Sequence, residues 1–458
     1  MKKLFLIILC IVLSMLVVPA QKNSDDLYKT IMERTKWWRE ARFGMFIHFG
    51  LFSIPGRGDG WLRNDERTSN EEYQVYFDEF NPVGLDLVML AKLAKKAGMK
   101  YAVLTAKHHE GFALWDTKLS DYKSTKTTYG RDIVREFLDA FRSEGVRVGI
   151  YFSTIDWYHP DYPKYNDAHH PMRGNEKYKN EKIDWNNYLE FMHGQVEELT
   201  TQYGKLDIMW FDFSYDDMKL EKWKSKELVE MVRRNQPDII LNNRLIGDGA
   251  AKGGYQLSNL GDFETPEQGI PPAGLTDEKG RHIPWEANLT MNNSWGYTRN
   301  DHYWKTSESI IQTLVNCVSK NGNFLLNVGP DGGGNIPKPS IAILEDIGEW
   351  MRLNSESIYG CGSAEGMEKP EWGFFTQNGK MLYLHWMYPK IGHIDLTGMA
   401  DKVKKVRLLR DGSEIVPETN WWGDDGGESH FYLNINKPTY QYFPLPDPAS
   451  TVFEIELK

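Results

Sequence analysis

From residue 44 onward the chain repeats one pattern, and that pattern constrains the fold more than any other feature. A continuous apolar run of strand length is followed by an amphipathic helix of about a dozen residues, then by another apolar run. The runs are GMFIHFG (44–50), KYAVLTAKHHEGF (100–112), VRVGIYFST (146–154), LDIMWFD (206–212), DIILNNR (238–244) and NFLLNVGP (323–330). Between them lie LVMLAKLAKKAG (87–98), IVREFLDAFRSEG (133–145), NYLEFMHGQVEELTTQYG (187–204), SKELVEMVRRNQP (225–237) and ESIIQTLVNCVSKNG (308–322). Strands that are apolar on both faces, joined by helices, belong to a parallel sheet covered on both sides. This many units predict an α/β fold, a (β/α)8-like TIM barrel over 21–360. An open doubly wound sheet is the alternative. It predicts a Gly-rich phosphate loop after a strand, and the one Gly-rich stretch, GPDGGGNIP (329–337), lacks the lysine and spacing of one and reads as a turn.

After IAILEDIGEWMRLNSESIYG (341–360) the segments become short and alternating, with hairpin-type turns at QNGK (377–380) and RDGS (410–413). This predicts a C-terminal antiparallel β-sandwich over 361–458. At the other end, Lys2 and Lys3 precede an apolar run at 4–18 that is short for a membrane span, and small residues follow at 18–20. Residues 1–20 therefore read as a secretory signal peptide cut after Ala20, and the mature chain is expected to be exported, periplasmic or extracellular. Beyond it only Cys317 and Cys361 remain, expected as two buried thiols.

In a barrel of this type chemistry sits at the C-terminal ends of the strands. Here those ends carry His48, then Lys107-His108-His109-Glu110, Asp156-Trp157-Tyr158-His159, Trp210-Phe211-Asp212 and Asn242-Asn243-Arg244. GDFETPEQ (261–268) and WEANLTMNNSWGY (285–297) follow. The net charge of −10, without basic runs, argues against nucleic acid as a partner. His108 and His109 are adjacent, so on a strand they face opposite ways and do not share a metal. With no serine elbow or cysteine at the rim, acyl transfer is disfavoured. Carboxylates, aromatics, His, Asn and Arg remain, and these suit glycosidic bond hydrolysis, which needs one carboxylate and one carboxylic acid. Asp212, at a rigid strand end, is the candidate nucleophile. Glu264, Glu267 and Glu286 are open as the acid.

The stretches FGMFIHFG, AKHHEGFALWDT, MWFD, LNNR, DFETPE, WE, SWGY and NGNFLLNVGPDGGGNIP, in this order, resemble the α-L-fucosidases of glycoside hydrolase family 29. The resemblance covers residues 35–360 and implies a barrel followed by a β-sandwich. It implies a retaining exo-enzyme that releases terminal α-L-fucose from glycans without a metal or other cofactor. It carries the nucleophile to Asp212 and the acid/base to Glu267, with Glu264 and Glu286 behind it. The implied sugar contacts are His48, Trp61, His108, His109, Trp210, Arg244 and Trp295, with Trp157 and His159 from a variable loop. The expected partner is a fucosylated oligosaccharide or glycoconjugate. One departure stands out. Many members carry Glu just before the tryptophan of the second rim loop, whereas here Gly60 precedes Trp61 and Asp59 lies next to it. Either Asp59 takes over that contact or the sugar differs, a galactoside being the nearest choice. A non-catalytic fucose-binding protein is the rival from another class.

Overall fold

The structure, a computed structural model, describes residues 24–247, 257–388, 394–416, 431–433 and 445–458. The expected signal peptide and the Trp421-Trp422 pair of the C-terminal region lie outside the described residues.

The apolar runs form strands β1 (Phe43–Ile47), β2 (Tyr101–Lys107), β3 (Arg147–Ser153), β4 (Ile208–Asp212), β5 (Ile240–Leu241) and β7 (Asn323–Val328). A further strand, β6 (Glu286–Thr290), lies in the stretch 285–297, which is not among the apolar runs. All pair in parallel, in the order β5-β4-β3-β2-β1-β7-β6. The intervening helices begin at side-chain caps: Asp86 accepts from the Met89 amide, Asp132 from Arg135, Asp184 from Asn187 and Thr306 from Ser309. Each cap satisfies an amide that a helix start leaves without a partner.

Alternate side chains along each strand divide between two apolar layers. Phe46, Tyr101, Val103, Tyr151, Ile208, Trp210 and Leu325 cluster together on one face. Their neighbours Met45, Ile47, Ala102, Leu104, Met209, Phe211, Phe324 and Leu326 pack with the helices. The first layer is the inner one and is rich in aromatics. Phe263 joins it from the segment between β5 and β6. That segment forms no regular ladder, but it bridges both sheet edges in parallel: Asn242 to Phe263, Glu264 to Trp285 and Glu267 to Asn288.

Strands β8 (Gly373–Asn378), β9 (Met381–Trp386), β11 (Val403–Leu408) and β13 (Thr451–Leu457) form an antiparallel sheet in the order β11-β13-β9-β8. The turn of QNGK joins β8 to β9, with Asn378 opposite Met381 and Gly379 at φ 55°. A ribbon of β10 (Ile394–Asp395) and β12 (Tyr432–Leu433) shares an apolar core with this sheet through Ile394, Leu433, Leu384 and Phe453. The sheet is tied to the helix Lys338–Asn354 by the Trp350 indole, which donates to the Ser450 carbonyl at 3.0 Å. Cys317 and Cys361 are buried free thiols. Among the described residues no helix is long and apolar enough to cross a membrane.

Candidate active site

Ile208, Trp210 and Asp212 alternate along β4, so the carboxylate shares the inner face with Trp210. Asp212 is only 8% exposed. An ionised carboxylate there costs several kcal/mol unless it is partnered, and it is. Its Oδ1 accepts from Arg244 Nη1 at 3.0 Å, and its Oδ2 accepts from the Tyr151 hydroxyl at 2.8 Å. Burial still pushes Asp212 up to about 6; Arg244 and Tyr151 pull it down, while the charge of Glu267 adds to the upward push.

Arg244 is itself buried and serves a second acid. Its Nη2 donates to Glu267 Oε2 at 2.9 Å and its Nε to the Thr265 hydroxyl at 3.1 Å. Its guanidinium lies 4.9 Å from the centre of the Trp210 ring, which stacks on Tyr151. The cation is thus fixed in position by an aromatic face, a hydroxyl and two carboxylates. Glu267 is 41% exposed on its side chain, so one acid of the pair is buried and the other faces the mouth.

The other two acids lie elsewhere. Glu264 is mostly buried, hydrogen-bonded by the Asn243 amide, and pushed up to about 7 by burial. Glu286 opens β6 opposite Asn323, the first residue of β7, and receives the hydroxyl of Tyr101, the first residue of β2. It therefore sits at the N-terminal ends of the strands, not at the rim where Asp212 ends β4. Burial pushes it up to about 7.

The histidines converge. His48 is held through Nδ1 by Asn327 Oδ1 at 2.6 Å, and burial lowers it to about 3. His109 Nδ1 pairs with the Ser153 hydroxyl at 2.7 Å, and its Nε2 lies 3.9 Å from Asp212 Oδ2. The expectation that His108 and His109 face opposite ways fails. The ladder ends at Lys107, both residues lie in the turn beyond it, and their rings are 4.1 Å apart. Burial holds both well below the ordinary histidine range. Neutral imidazoles can both donate and accept hydrogen bonds, as sugar hydroxyls require. The buried Nδ1 of His108 has no partner among the described residues.

Trp295 lies 5.0 Å from His48, and Trp61 lies 5.0 Å from His109. Trp157 is fully buried behind Trp61, 5.5 Å away, and backs the wall rather than facing the opening. His159 is directed away from this group. Asp156, paired with Lys107 at 3.0 Å, caps the 156–159 turn, and the His159 ring packs on Phe191 and Tyr188 of the helix Trp185–Gln202. Gly60 explains the departure at the second rim loop. A Cβ there would lie 2.1 Å from His108 Cε1, so the imidazole occupies the space that a side chain would need. Asp59 accepts from the Trp61 amide at 3.1 Å, and its carboxyl is raised by burial.

Sequence reasoning missed Tyr151, Asn327, Ser153 and Thr265. Tyr151 looked like core in an apolar strand. Its signal was the two-residue step to Ser153, which puts both at one inner face. A cavity of about 700 Å³ opens at the opposite end of the strands, beside Arg34, Trp37, Arg147 and Asp207, and holds none of these acids.

A family model described as Alpha-L-fucosidase matches residues 16–356. The α-L-fucosidase isoenzyme 1 of Paenibacillus thiaminolyticus is 51% identical, with a TM-score of 0.88, over 93% of this chain and 99% of that one. A glycoside hydrolase family 29 α-L-fucosidase of Bacteroides thetaiotaomicron, solved as a trapped covalent intermediate with 2-fluoro-fucosyl fluoride, is 29% identical. Its TM-score is 0.80, over 93% of this chain and 96% of that one. The α-L-fucosidase of Dictyostelium discoideum is 32% identical over 353 residues, 71% of each chain. The chain belongs to the α-L-fucosidase family of glycoside hydrolases.

Proposed function

We propose that this chain is a retaining exo-α-L-fucosidase with Asp212 as nucleophile and Glu267 as acid/base. The observation that carries the reading is the single guanidinium of Arg244 bonded to both acids. Such bridging favours the close spacing of a retaining pair, about 5 Å, over the wider gap that inverting enzymes leave for water. In the first step Asp212 attacks the anomeric carbon. The bond to the glycosidic oxygen breaks, its electron pair stays on that oxygen, and Glu267 supplies the proton. In the second step Glu267 takes a proton from water, which attacks the same carbon and frees Asp212. Neutral His48, His108 and His109 bind ring hydroxyls, and Trp210 and Trp295 pack on the apolar edge of the sugar, so binding is directed to positioning. No step calls for a cofactor.

The 263–267 segment, bridging both sheet edges, is taken as the irregular eighth element that closes a (β/α)8-like barrel ending near residue 360. The 361–458 region is taken as a supporting sandwich. Export through residues 1–20 belongs to the same proposal, and the N-terminal sequence of the released protein tests it.

Gly60 keeps a second sugar in view. With Gly60 at the position of the usual glutamate, a galactoside shares the hydroxyl pattern that this pocket would read. Nitrophenyl α-L-fucoside and nitrophenyl galactosides, assayed side by side with Asp212→Asn, decide the matter. Fucoside turnover lost in a folded Asp212→Asn enzyme supports the reading. Undiminished turnover sinks the nucleophile assignment, and binding of fucose without turnover of any glycoside points to a lectin-like role.

A further inference from the structure

At the mouth of the pocket Trp61, an expected sugar contact, joins three rings that the two-step reaction does not use. Beyond Asp212 the chain runs outward through Phe213 and Tyr215, both half-buried. His169, from the loop after β3, places its ring against three others: Tyr215 at 4.4 Å, Phe213 at 5.3 Å and Trp61 at 5.6 Å, each nearly perpendicular to it. Trp61 and Phe213 meet at 5.6 Å. The four rings form a continuous wall that starts at the nucleophile and reaches the surface.

This wall is held rigidly. Asp167 is 5% exposed, and it accepts from the His169 amide at 2.8 Å, the Tyr162 hydroxyl at 3.1 Å and the Tyr215 hydroxyl. The Asn64 amide donates to the His169 carbonyl, and Arg67 donates to the Arg173 carbonyl at 3.0 Å. Three segments, following β1, β3 and β4, are thereby locked together. A cluster that served packing alone would be closed off, as Trp157 and Trp223 are at 0% exposure; these four rings stay open.

We propose that Trp61, His169, Phe213 and Tyr215 form the subsite for the leaving group, and that they take the pyranose ring to which the terminal sugar is attached. The inference rests on the reading of Asp212 as nucleophile. A sugar seated against buried Tyr151 and Trp210 has no room behind it, so the rest of the glycan extends through the mouth. Aromatic faces pack against the apolar face of a pyranose, while the imidazole edge of His169 meets its polar rim. Glu267, exposed at the same mouth, then meets the glycosidic oxygen between the two rings.

The test compares α-L-fucosyl fluoride, which carries no second ring, with a panel of fucosyl disaccharides. In His169→Ala and, separately, Tyr215→Leu, kcat/KM for the preferred disaccharide is expected to fall about tenfold relative to its value for the fluoride. Equal changes on both substrates, or no change on either, in both folded variants overturn the subsite. Failure of the unaltered enzyme to turn over fucosyl fluoride would instead reject the functional reading beneath it.

Discussion

Removing the cation that Asp212 and Glu267 share should move the pH profile of the enzyme in a calculable way. In Arg244→Met the side chain keeps its bulk against Trp210 but loses its charge. Burial already pushes Asp212 up to about 6 with Arg244 present at 3.0 Å. Two unit charges about 4 Å apart interact by about 4 kcal/mol at an effective dielectric of 20, and Glu267 competes for the same cation. Taking about 3 kcal/mol as the share lost to Asp212, the acid limb of kcat/KM should rise by about two pH units. The sign follows from the chemistry: the nucleophile must be ionised, so activity is lost below its pKa and recovered above it. At pH 7 the ionised fraction then drops roughly tenfold, in addition to any loss of positioning. The assay is hydrolysis of nitrophenyl α-L-fucoside from pH 4 to 10, with circular dichroism confirming the fold. The histidines cannot mimic the effect, because burial holds His48 near 3 and the other two well below their ordinary value. A folded Arg244→Met enzyme whose acid limb stays where the unaltered enzyme has it would refute the reasoning.

Glu267→Ala should lose far more activity on a poor leaving group than on an activated aryl fucoside, with azide restoring turnover. If Glu264→Ala behaves that way instead, the acid/base lies three residues earlier. Gly60→Ala should lower kcat/KM about a hundredfold while leaving the melting temperature nearly unchanged, because the added methyl displaces His108 rather than any element of the core; a fully active Gly60→Ala enzyme would show that His108 does not hold the sugar from that position. Glu286 is raised to about 7 from an ordinary 4.5, so folding favours its protonated form. Its contribution to stability is complete below about pH 4.5 and is lost as pH rises through 7, about 3 kcal/mol in all. Thermal denaturation of Glu286→Gln should therefore show a flatter fall in stability between pH 5 and pH 8 than the unaltered protein.

The strands and their helices were legible because burial on both faces leaves an unmistakable apolar run. Asp212, Arg244 and His48 were legible because strand ends in such a sheet gather the polar residues. Contacts made across the sheet were not legible. Tyr151 reaches Asp212 because β3 and β4 pair with Tyr151 beside Trp210, and no sequence interval encodes that register. Glu286 looked like a rim residue because β6, built from a mixed polar stretch, was not visible as a strand, so its ends could not be told apart. The His108-His109 pair was misjudged because the alternation rule was applied one residue past the end of its ladder. His159 was drawn in by its neighbours in sequence, while the Asp156 turn sends it to the helix behind.

The shared guanidinium has a further consequence for how charge moves during turnover. On the proposed cycle Asp212 gives up its negative charge as it becomes an ester, and in the same step Glu267 acquires one by releasing its proton. Hydrolysis reverses both changes. Arg244 therefore faces a single net negative charge before, during and after each half-reaction, with only the bonded partner alternating between its two terminal nitrogens. The site never has to re-solvate an ion or recruit a counter-ion, and its dipoles can remain still while the charge swaps sides.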